Sequence, residues 1–94
     1  MQFASFSFDA AVSEVFTSLL CGARLAIPSA ESRLSLTLSD YIRDRGITTA
    51  TLPPALLATL PTPTGAHSLH TIITAGEACP ADVITKWAKV EQIQ

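Results

Sequence analysis

Asp9 stands where two patterns meet. Before it, residues 2–8 alternate like a strand, with Phe3, Ser5 and Ser7 on one side and Phe6 and Phe8 on the other. After it, "AAVSEVFTSLL" takes helical spacing. A carboxylate there has two uses. It can cap the helix, worth about 1 kcal/mol, or it can meet a ligand cation. Opposite unit charges about 4 Å apart attract by ~4 kcal/mol at an effective dielectric of ~20, before desolvation. Two more polar features follow runs rich in β-branched residues: Thr51, near the end of "ITTATL", and Thr74-Ala75-Gly76-Glu77, after "HTIITA". Thr51 is either a satisfied strand hydroxyl or a pocket wall. Gly76 is either a turn glycine or a place where a flat ring can approach the backbone. His67 and His70 read as a solvated loop residue and a solvated strand start. Cys21 and Cys79 lie far apart with no ligand spacing, so no metal site is expected. "TPTGAHS" has one glycine and no lysine, and is set aside as a phosphate loop.

The elements that must position these residues follow from periodicity. A helix is predicted over 10–21, with Val12, Val15, Phe16, Leu19 and Leu20 as its buried stripe and Ser13, Glu14, Thr17 and Ser18 facing outward. Gly22 ends it. "RLAIP" (24–28) reads as a strand, and residues 36–45 as a helix built on Leu38, Tyr41 and Ile42. Residues 47–52 read as a strand, and Pro54 opens a short helix through Leu60. Residues 61–68 form a loop and 70–75 a strand. Pro80 starts a last helix, with Val83, Ile84, Trp87 and Ala88 inward. "VEQIQ" begins another strand. Strands alternating with helices predict an α/β fold with a mainly parallel sheet, covered on both faces by its apolar residues. Ligands of such sheets bind beyond the carboxyl ends of the strands. Asp9, Thr51 and Gly76 would therefore gather at one rim.

The 94 residues allow one small domain. Their 48% hydrophobic and 15% charged content is apolar for a free-standing protein of this size. It fits a buried piece of something larger, or a domain that docks on neighbours. A net charge of −2 gives no basic stripe, which excludes nucleic acid as a partner. The start, "MQFASFSFDAA", does not read as a secretory leader, and no apolar run approaches the ~20 residues of a membrane span. A reduced cytoplasmic chain is expected.

"FASFSFDAAVSEVFTSLLCGARLAIP", "YIRDRGITTATLPPALLATLP" and "TIITAGEACPADVITKWA" closely resemble, in order, consecutive segments of the adenylation domains of non-ribosomal peptide synthetases, within the adenylate-forming enzyme superfamily. The resemblance covers nearly the whole chain. It implies that residues 1–94 are the middle section of an adenylation (AMP-binding) domain, part of its large N-terminal subdomain. It implies a reaction of amino acid and ATP, with magnesium, giving aminoacyl-AMP and pyrophosphate. The aminoacyl group then passes to a phosphopantetheine thiol on a carrier domain, in a synthetase that also holds condensation domains. By position, Asp9 resembles the aspartate that holds the substrate α-ammonium. Ala10, Ser13, Thr51, Ile73 and Ala75 match pocket positions, and Gly76, Glu77 and Ala78 match a segment whose backbone lies against adenine. The string Asp, Ala, Ser, Thr, Ile, Ala at these positions resembles patterns associated with aromatic amino acids, and small residues at 10, 13 and 75 leave volume for a ring. The family's phosphate loop, its Tyr-Gly-Pro-Thr-Glu segment, its ribose-binding aspartate and its adenylation lysine have no counterpart among these residues. The chain alone is therefore expected to be inactive. Two alternatives stay open: a non-catalytic remnant or small α/β binding protein, and a piece of an acyl-CoA or aryl-acid ligase. Asp9 argues against the last, since a substrate without an amino group needs no such carboxylate.

Overall fold

The computed structural model describes residues 1–5, 9–64 and 66–90. In chain order its elements are α1 (Asp9–Leu20), a 3-10 turn (Glu31–Arg33), α2 (Ser35–Asp44), β1 (Thr49–Leu52), α3 (Pro54–Thr59), β2 (Thr71–Thr74) and α4 (Ala81–Ala88). The fold is α/β around a small parallel sheet. β1 and β2 pair in parallel, with Thr49, Ala50, Thr51 and Leu52 opposite Thr71, Ile72, Ile73 and Thr74. Such a pair needs a crossover, and α3 supplies it. Pro54 sits at the first helical position, where its missing N–H costs nothing.

One face of the sheet carries the core. Ala50 and Leu52 are buried there, and Ile72 packs beside them. Met1, Leu38 of α2, Ile47, Leu57 of α3, Leu60, Leu69, and Val83 and Trp87 of α4 join them. The Trp87 indole N–H donates to the Leu57 carbonyl oxygen at 2.9 Å, so its polar atom is satisfied inside the core. Lys86 lies beside it. Its Nζ donates to the carbonyl oxygens of Leu57, Ala58 and Leu60 at 3.2, 3.1 and 2.6 Å. The end of a helix leaves such carbonyls without intrahelical donors, and a cation suits them.

Several expectations fail, each for a packing reason. Residues 2–5 and 24–28 form no regular strand, and residues 6–8 and 91–94, where the first strand and the last were to continue, lie outside the described residues. The first segment does flank the free edge of β1: the Met1 nitrogen donates to Thr49 O at 3.0 Å and the Gln2 N–H to Ala26 O at 2.8 Å. Single bonds of this kind do not make a ladder. The buried face of α1 is also not the apolar stripe. Ala11 and Glu14 are buried, while Val12, Phe16 and Leu19 are each more than half exposed and Leu20 is 81% exposed. In α4, Val83 and Trp87 face inward as the periodicity demands, but Ile84 and Ala88 are exposed. The sheet is covered on one face only, and Ile73 on the other is 46% exposed. His67 is half-buried rather than solvated. No helix among the described residues is long and apolar enough to cross a membrane.

Candidate functional site

A hollow of ≈ 710 Å³ opens beyond the carboxyl ends of β1 and β2, on the face away from the core. That volume falls within the roughly 300–1,000 Å³ typical of small-molecule sites. Four stretches wall it: Phe3–Ser5, the first turns of α1, residues 51–53, and Ala75-Gly76. These stretches are far apart in sequence. They meet because parallel strands present their C-terminal ends on one side, and because residues 1–5 run along β1's outer edge.

Asp9 is the first residue of α1 and is exposed at the rim. A carboxylate in the first helical turn also faces the positive end of the helix dipole. The capping position just before it lies outside the described residues. Ala10 and Ser13 project into the same hollow, Ser13 one turn on from Asp9. Thr51 enters from β1. Its neighbours Leu52 and Pro53 continue the wall, and Ala75 and Gly76 close the far side. Gly76 has φ of 93°, a conformation that a side chain would strain, and a Cβ there would meet nothing within 4 Å. Glycine is therefore required by the backbone turn and not by crowding.

Of the nine residues singled out in the sequence, six come together here: Asp9, Ala10, Ser13, Thr51, Ala75 and Gly76. Ile73 is the register partner of Thr51 but lies one strand further from the Phe3–Ser5 wall, outside the lining. Glu77 and Ala78 also lie outside it and are exposed. The Glu77 side chain is engaged elsewhere: its Oε1 accepts the Ala55 N–H at 3.1 Å, which ties the Gly76 turn to the start of α3.

Glu14 escaped the sequence reading, which put it on the solvent side. It is 5% exposed, and both its oxygens accept backbone N–H groups, Oε2 from Phe3 and Oε1 from Ala4, each at 2.8 Å. The only available signal was its place in "FDAAVSEVF", three residues after buried Ala11 on one helix face. Among the described residues no three His, Cys, Asp or Glu side chains stand together as a metal site. Both cysteines are free thiols, Cys21 exposed and Cys79 partly so.

A family model described as AMP-binding enzyme matches residues 1–93. Novobiocin biosynthesis protein H of Streptomyces niveus is 38% identical over 88 residues, which is 94% of this chain and 14% of that protein. HC-toxin synthetase of Cochliobolus carbonum is 37% identical over 89 residues, 95% of this chain and 2% of that protein. Bacitracin synthase 3 of Bacillus licheniformis is 37% identical over 89 residues, 94% of this chain and 1% of that protein. The chain thus spans a seventh or less of these curated relatives.

Proposed function

The chain belongs to the AMP-binding enzyme family, and from that premise we propose that it is the middle section of an amino-acid-activating adenylation domain in a cytoplasmic multidomain synthetase. One observation carries the reading. The carboxylate of Asp9 stands at the mouth of a hollow whose other walls, at Ala10, Ser13, Thr51, Ala75 and Gly76, are small or uncharged. Such a site orients a substrate that has one cationic group and an apolar body.

The α-ammonium of an amino acid pairs with Asp9. Its side chain enters past Ala10, Ser13 and Ala75, whose small size leaves room for an aromatic ring. Ser13 Oγ supplies a partner for a phenolic hydroxyl. The exposed backbone at 76–78 lets adenine lie flat against it. In the reaction, a carboxylate oxygen of the amino acid bonds to the α-phosphorus of ATP. The bond from that phosphorus to the bridging oxygen breaks, and pyrophosphate leaves with the electron pair. The residues of this chain bind and orient. They present no lysine or arginine at the hollow to meet phosphate charge. Magnesium would arrive with the ATP phosphates, because the described residues form no cage for it, and no step here runs through it. A carrier-domain phosphopantetheine thiol then attacks the acyl carbon, loses its proton, and AMP departs.

Proximity and charge placement supply most of such catalysis, and the described residues that line the hollow bring no cation for the phosphates. The 94-residue chain alone is expected to give no ATP–pyrophosphate exchange. A protein carrying this segment within a whole adenylation domain is expected to exchange in the presence of tyrosine or phenylalanine. Asp9→Asn in that protein is expected to lower amino-acid-dependent exchange by about a hundredfold, as loss of a charge-paired anchor does. Exchange by the 94-residue chain would refute the segment reading. Exchange only with small aliphatic amino acids would refute the aromatic one, and unaltered exchange by Asp9→Asn would refute the role of the carboxylate.

A further inference from the structure

Glu14 lies outside the hollow, yet it joins two of its walls. Its own helix, α1, contributes Asp9, Ala10 and Ser13. The two N–H groups it accepts belong to Phe3 and Ala4, which form the facing wall with Ser5. Both carboxylate oxygens are used at 2.8 Å, and the side chain is 5% exposed, so water does not compete for them. Residues 3–5 have no strand ladder to hold them. Phe3 packs against the core and the Gln2 side chain donates to the Ala4 carbonyl oxygen, and the Glu14 clamp adds the tie between this wall and α1.

We infer that Glu14 is a positioning residue for the amino-acid hollow: it touches no substrate, and sets the separation between the Phe3–Ser5 wall and the helix that bears Asp9 and Ser13. This rests on the substrate reading given under Proposed function. The geometry demands a carboxylate of this length. Glutamine offers one oxygen and turns an NH2 toward the second N–H donor. Aspartate is one methylene short.

The test uses the whole adenylation domain that carries this segment. Glu14→Gln is expected to raise KM for the amino acid at least tenfold, with KM for ATP and kcat within twofold of the parent. The peptide covering residues 1–5 is expected to exchange its amide hydrogens faster in the variant, while α1 stays protected. A purely structural role would instead lower the thermal midpoint and disturb both substrates together. That result, or an unchanged amino-acid KM, overturns the inference. If Glu14→Gln does not fold, Glu14→Asp keeps the charge but falls one methylene short of the two donors; a rise confined to the amino-acid KM supports the clamp, and no rise overturns it. Absence of amino-acid-dependent exchange in the parent overturns both this inference and the substrate reading, and differs from failure of the clamp alone because it appears before any substitution.

Discussion

At the scale of single residues, the site depends on side chains that do little for the fold. Ser13 is exposed on α1 and lines the hollow. In the intact domain, Ser13→Ala is expected to reduce the preference for tyrosine over phenylalanine by about tenfold in kcat/KM, the effect of one lost hydrogen bond to a neutral group. Equal loss with both substrates would place Ser13 away from the phenol. Gly76 has the opposite character. With φ of 93° and open space around its missing Cβ, Gly76→Ala meets backbone strain alone. It is expected to destabilise the fold by about 1–2 kcal/mol, read from the urea midpoint. A neutral result would show that the turn relaxes. Asp9 was legible in the sequence as a carboxylate at a helix start, where Asp is common; the resemblance, and not the pattern, singled it out as a pocket residue. Glu14 was not, because nothing in a helical pattern says that a backbone segment nearby will need two acceptors.

At the scale of elements, the helices and the strand pair follow their sequence cues closely. α2, α3 and α4 lie within a residue or two of where periodicity and proline put them, and β1 and β2 occupy the β-branched runs. The failures concern elements whose definition depends on neighbours. A strand exists through its ladder, and residues 2–5 and 24–28 have single bonds instead. A buried stripe exists only if something lies against it, and α1 turns Ala11 and Glu14 inward while its larger apolar residues face out. Periodicity can identify an amphipathic helix, but not its packing partner. One contact the sequence does not announce has a measurable weight. Lys86 holds the three carbonyls at the end of α3, so Lys86→Met should cost about 1–2 kcal/mol and should speed amide exchange in Pro54–Leu60 before the rest of the core. Uniform exchange across the chain would deny α3 this anchor.

Across the whole molecule, the prominent feature is an unfinished surface. Val12, Phe16, Leu19 and Leu20 form an exposed apolar strip on α1, Ile27 is 62% exposed, and among the described residues the sheet has two strands and one covered face. Surfaces of this kind associate. The isolated 94-residue chain is expected to sediment as oligomers in the micromolar range, and Phe16→Ser with Leu20→Ser to shift it toward monomer at a stability cost below about 0.5 kcal/mol. A monomeric parent chain would instead favour an independent small protein. The distance in sequence between the walls of the hollow has its own consequence. A ribosome releases Asp9 and Ser13 long before Thr51, and Ala75 and Gly76 later still, at ~5–20 residues per second. For several seconds the nascent polypeptide carries Asp9 with no hollow around it. A message cut short of the codon for Ala75 is expected to yield a product in which the hollow stays open on one side, because that wall is made last.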